Sequence, residues 1–104
     1  MLSSLLALAM AMQADTTRAS REAFTRCLAQ FVDASAQARK TAEQFRAEYP
    51  QACTAEQTAF REAIIRRDMG MRATRASAEE SANMEVQDAR ENFAERFEMA
   101  TTPS

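Results

Sequence analysis

Cys27 and Cys53 are the residues of this 104-residue chain best equipped for chemistry. The two thiols can close a structural disulfide, or be two unrelated buried thiols. Histidine is absent, which removes Ser–His and Cys–His nucleophilic pairs and most zinc and copper sites. A single glycine, Gly70, leaves no phosphate-cradling loop. Met69 and Met71 flank it and could offer thioethers to Cu(I). No other ligand lies near them in sequence, and core packing or gap-filling is the commoner use of methionine. Arg61, Arg72 and Arg75 would share one sector of a continuous helix and could take an anion, although such clusters are most often solvated surface. Glu79 and Glu80 fall on a polar face, where solvation is commoner than acid–base work. The residues therefore predict no catalytic group, no metal and no cofactor.

The elements that would position the cysteines begin after an uncharged start. Residues 1–14 read MLSSLLALAMAMQA, with eight consecutive apolar residues at 5–12. That run is too short for a bilayer, which needs roughly 20 residues, and it suits the core of a secretory signal. Ala9-Met10-Ala11 fits a small-residue cleavage site, and cleavage after Ala14 is the other option. The run lacks the Lys or Arg that usually precedes it; the alternative is the apolar first turns of a cytosolic helix. The expected layout is a signal peptide over 1–14, one helical domain over 15–100 and a disordered tail over 101–104. The location is then periplasmic or secreted, where paired cysteines oxidise.

Abundant Ala, Glu, Arg and Gln, one Gly and two Pro predict an all-α fold. Asp15 to Thr17 supply N-cap residues for a first helix. Phe24, Phe31, Ala38 and Phe45 recur every seven residues, with Leu28, Ser35 and Ala42 one turn beyond the first three. A break near residue 40 is preferred, because Thr41 and Gln44 form a capping box. Cys27 and Cys53 each lie 13 positions from residue 40, so a turn there brings both sulfurs to one level. Pro50 ends a short second helix. Thr54 and Gln57, in a second Thr-Ala-Glu-Gln tetrapeptide, are expected to cap the third. The fold expected is a disulfide-stapled helical hairpin followed by a long third helix.

From Thr54 to about Glu98 only Gly70 opposes helix, at about 1 kcal/mol. A mostly continuous helix is preferred; a fold-back at Met69-Gly70-Met71, aided by a Ser77-x-x-Glu80 cap, is the alternative. Continuity would leave the stripe Ala82, Val86, Ala89, Phe93 and Phe97 uncovered, as a candidate partner-binding surface for a second copy or another helical protein. Residues 61–75 hold five Arg against Glu62 and Asp68, and residues 79–98 hold seven acids against Arg90 and Arg96. Solvated faces with pairs such as Glu62–Arg66 are the simpler reading; antiparallel pairing of two copies, basic on acidic, is the sharper one. The net charge of −2 favours neither nucleic acid nor stable membrane insertion after signal cleavage.

Cys53-Thr54-Ala55-Glu56-Gln57 resembles the Leu-Thr-x-x-Gln motif of the Spy/CpxP-type periplasmic helical proteins, with Cys in place of Leu. The resemblance implies a small, all-helical, dimeric stress protein that binds unfolded clients on a concave surface. The wider layout, with Cys27-Leu28, Cys53, Ala59-Phe60-Arg61-Glu62-Ala63 and Arg75-Ala76-x-Ala78-Glu79-Glu80, resembles small uncharacterised secreted helical proteins of Gram-negative bacteria. The sequence thus predicts a non-enzymatic periplasmic interaction or structural protein that self-associates. The alternatives are a Spy/CpxP-like chaperone, and a cytosolic nucleic-acid or anion binder using Arg61, Arg72 and Arg75.

Overall fold

The computed structural model describes the backbone of residues 2–102 and the side chains of residue 12 and residues 14–102. The fold is all-α: α1 (Leu2–Gln37), α2 (Ala42–Glu48), a 3-10 turn (Tyr49–Gln51), α3 (Thr54–Gly70) and α4 (Arg75–Thr101). Helix α1 runs through the expected start at 15–17, since no Gly or Pro interrupts it. Thr16 Oγ1 donates to Met12 O at 2.9 Å and Asp15 pairs with Arg18 at 2.7 Å, so these residues bond within the helix instead of capping it. The expected signal peptide is thus continuous with α1 from Leu2, and Met1 lies outside the described residues. Of the expected tail, Thr101 ends α4 and Thr102 caps it, while Pro103 and Ser104 lie outside the described residues.

Helix α1 ends where the capping box predicts. Arg39 takes a left-handed conformation, φ 56°, and Lys40 N donates to Ser35 O while Arg39 N donates to Ala36 O. This is a Schellman ending with arginine in the position glycine usually fills. Thr41 then caps α2: Gln44 N donates to Thr41 Oγ1 at 3.1 Å, and Thr41 N donates to Gln44 Oε1 at 2.9 Å.

The long third helix is broken. Helix α3 stops at Gly70, and the chain turns at 71–74. The left-handed residue is Arg72, φ 70°, not the glycine. Ala73 N donates to Asp68 O and Arg72 N to Met69 O, a second Schellman ending. Thr74, not Ser77, caps α4, accepting from Ser77 N at 3.1 Å. The fold-back wins over continuity because it returns the apolar stripe of α4 to the rest of the chain. Ala78, Ala82, Val86 and Phe97 are buried there, and Ala89 and Phe93 are partly buried against the same core. Apolar burial gains about 25 cal/mol per Å², which outweighs the few helical hydrogen bonds lost at the turn.

The result is a three-helix bundle, with α2 closing one end. Thr17 lies opposite Ala63 and Cys27 opposite Cys53, so α1 and α3 run antiparallel. Arg21 meets Glu85 and Asp33 meets Arg96, a nearly constant offset, so α4 runs parallel to α1. The bundle measures 60 × 24 × 23 Å. Its core is Phe24, Leu28 and Val32 from α1, with Phe60, Ile64 and Ile65 from α3. At the α2 end Phe45 stacks on Phe97 at 4.0 Å and on Tyr49 at 4.7 Å.

Candidate functional site

Cys27 and Cys53 form the expected disulfide, with Cα atoms 6.0 Å apart. The staple joins mid-α1 to the residue that opens α3. Cys53 itself is the N-cap residue, in a left-handed conformation, φ 62°, and makes no side-chain cap bond. Thr54 and Gln57 therefore do not form the expected cap. Thr54 is already helical, and the Gln57 amide oxygen accepts from Arg90 Nε instead. A charged donor out-competes a neutral amide for that oxygen. Glu56 lies with the two sulfurs inside one cluster. The disulfide leaves no thiolate there to hold an ion.

Arg90 is the group that sequence reasoning missed. It projects from α4 into the loop that precedes α3. Its Nη1 donates to Tyr49 O at 3.0 Å and its Nη2 to Ala52 O at 2.6 Å. The guanidinium also lies 5.2 Å from the Tyr49 ring centroid and 5.6 Å from that of Phe24. In return, the Tyr49 hydroxyl donates to Arg90 O at 2.7 Å. Arginine's planar fork suits this task, because it reaches several carbonyls that the short helix leaves exposed. Burial pushes the Tyr49 hydroxyl above its ordinary pKa, against the opposing pull of the Arg90 charge. No carboxylate pairs with Arg90 among the described residues; its polar partners are neutral oxygens.

Beside this clamp an open groove of about 510 Å³ runs along the α3–α4 seam. Arg61 lies at one end, with its Nε donating to Asn83 Oδ1 at 3.0 Å. Arg61, Arg72 and Arg75 are not brought together: Arg61 sits in mid-helix, Arg72 in the turn, and Arg75 pairs with Glu79 at 3.0 Å. The basic-on-acidic pairing that the sharper reading placed between two copies is found within the chain. Arg67 of α3 bonds Glu85 of α4 at 3.2 Å, and Glu85 also bonds Arg21 of α1 at 3.0 Å. Glu62 pairs with Arg61 at 3.7 Å rather than with Arg66.

Another feature is the placement of methionine. The exposed large hydrophobic side chains among the described residues are Met12, Met69, Met71, Met84 and Met99, which are 43–74% exposed. Among the described residues the buried core holds none. Met69 and Met71 therefore do not fill gaps in the core. The candidate stripe of Ala82, Val86, Ala89, Phe93 and Phe97 has the opposite fate, being turned against α1 and α3.

No protein-family model, no curated protein and no solved structure matches the chain.

Proposed function

We propose that the chain is an exported helical binding protein that performs no covalent chemistry and holds apolar segments of non-native proteins on its methionine-bearing surface. This is the role implied by its likeness to the Spy/CpxP-type proteins. The supporting observation is the segregation of methionine outside and rigid Phe, Leu, Ile and Val inside. Methionine has three rotatable bonds and a polarisable sulfur, so a surface of methionines adapts to unlike apolar partners. Self-association through the α4 stripe loses its motive, since the stripe is covered within the chain.

Export is supported by the Cys27–Cys53 bridge, which suits an oxidising compartment.

The test is aggregation of a chemically unfolded protein diluted out of denaturant, followed by light scattering. The oxidised protein at equimolar ratio is expected to suppress scattering. A quadruple Met69→Gln, Met71→Gln, Met84→Gln, Met99→Gln variant should lose most of that effect while keeping its helix content. No suppression at severalfold excess, or an equally active variant, would sink the proposal.

A further inference from the structure

We propose that the exposed methionines form a reversible modification site: oxidants of the hydroperoxide class convert them to sulfoxides, which makes the binding surface polar and leaves the fold intact. The reasoning starts from the side chains such an oxidant can use. The sulfurs of Cys27 and Cys53 are bonded to each other, and no free cysteine remains. The chain has no histidine and no tryptophan, and its one tyrosine, Tyr49, is buried. Thioethers are what remains. Met69, Met71, Met84 and Met99 are 43%, 62%, 60% and 74% exposed, and all four lie in the helical domain whichever leader site is cut. Met12 is 63% exposed, and the side chains of Met1 and Met10 lie outside the described residues.

The oxidant alone balances the reaction. The thioether sulfur attacks one peroxide oxygen; an S–O bond forms and the O–O bond breaks. Sulfur loses two electrons and the peroxide gains them. The departing hydroxide takes the proton of the transferred oxygen and leaves as water. The product is polar where the thioether was apolar, and inside a core it disrupts packing. Among the described residues the core of this bundle is Phe, Tyr, Leu, Ile, Val and Ala without methionine, so no sulfoxide enters it. On the surface, a sulfoxide pressed against an apolar segment finds no donor, and each should weaken the contact about tenfold. That consequence rests on the methionine-surface reading above; the modification and the intact fold do not. Sulfoxide reductases reverse the change, one for each epimer, and exposure gives them access.

The experiment treats the full disulfide-bonded chain with hydrogen peroxide. Peptide mass mapping is expected to find one oxygen atom on each of Met69, Met71, Met84 and Met99. The urea midpoint should stay put, elution from a hydrophobic-interaction column should come earlier, and most of the aggregation suppression should be lost. Methionine sulfoxide reductases should restore elution and suppression. A quadruple Met69→Leu, Met71→Leu, Met84→Leu, Met99→Leu variant stays apolar and cannot take the oxygen, so it should keep most of both after peroxide. Unmodified thioethers, a lowered midpoint, unchanged elution, undiminished suppression or no recovery would each overturn the proposal. If the untreated protein holds no client, the methionine-surface reading fails, while mass, midpoint and elution still decide this one. The comparison of wild type before and after peroxide stands even if the leucine variant misfolds.

Discussion

Replacing Arg90 by alanine tests the central structural claim, that one side chain ties the α2–α3 connection to α4. The substitution removes hydrogen bonds to three oxygens. Tyr49 O keeps a second partner, because Ala52 N also donates to it at 3.0 Å. Ala52 O and the Gln57 amide oxygen are left without the donor they had. A hydrogen bond to a charged group contributes about 1.5–3 kcal/mol. The groove admits water to part of this site, so the lower figure applies to each, giving about 3 kcal/mol for the pair. Loss of the guanidinium over the Tyr49 and Phe24 rings adds about 0.5 kcal/mol each at a partly exposed site. The expected destabilisation is about 4 kcal/mol, a large share of the roughly 5–15 kcal/mol typical of a domain.

Arg90→Lys separates charge from geometry. Lysine keeps the charge but lacks the planar fork, and reaches one acceptor well where arginine reaches three. About half the loss, roughly 2 kcal/mol, should remain. Urea unfolding followed by far-UV circular dichroism, in oxidising buffer, measures both variants against the wild type. A loss below about 1 kcal/mol in Arg90→Ala would refute the clamp, since one buried unsatisfied acceptor alone costs that much. A lysine variant equal to wild type would show that charge, not the fork, does the work.

Three further outcomes follow from the same contacts. Reducing the Cys27–Cys53 bridge, which spans 26 residues, should lower stability by about 3.5 kcal/mol from loop-closure entropy alone; denaturant midpoints with and without reductant measure it, and coincident midpoints would contradict it. Tyr49 is the sole tyrosine and no tryptophan is present, so phenolate absorbance reports it alone. Its folded pKa lies above the unfolded value of 10.0, so its contribution is full below pH 10 and fades as pH rises through the folded pKa. Tyr49→Phe should flatten that alkaline decline, and an unchanged pH profile would remove Tyr49 as its cause. The intact mass of the protein from its native host's envelope should lack 11–14 residues and show thiols only after reduction; a full-length chain with free thiols would defeat export.

The staple and the first turn were legible because two local signals agree on them. The Thr41–Gln44 box names the start of α2, and the cysteines are symmetric about residue 40. The second turn was legible only as the alternative, a fold-back at Met69-Gly70-Met71 ranked below continuity, because its left-handed position is held by Arg72, a residue type with no turn signature, while Gly70 is merely the last residue of α3. The repeated tetrapeptide misled for a different reason. Identical residues at 41–44 and 54–57 meet different surroundings: Cys53 is fixed by its bond to α1, and Gln57 is claimed by Arg90. That arginine could not be found from spacing, since its partners lie 33, 38 and 41 residues away. The methionines carried no sign of their exposure, as the same residues could have filled a core.

Constraint is distributed unevenly along the bundle, and this bears on where binding can occur. The disulfide, the Arg90 clamp and the stacked rings of Phe45, Tyr49 and Phe97 all lie in the half nearer α2. Toward the α3–α4 turn the buried ties are Ile64, Ile65, Ala78 and Ala82, and the polar ties are ion pairs among Arg21, Arg67, Asp68 and Glu85, which are partly exposed and individually worth little. Left-handed non-glycine residues occur in both halves, Arg39 and Cys53 toward α2 and Arg72 in the α3–α4 turn. Met69 and Met71 sit at that turn, with Met12 beside Arg66 of α3 on the same side, whereas Met84 lies within α4 and Met99 near its C-terminal end, two residues from the stacked ring of Phe97. The exposed methionines thus extend to both ends of the bundle, while the covalent and aromatic ties are confined to one, so an apolar segment held along them would meet a stapled end and an end held by aliphatic packing and ion pairs.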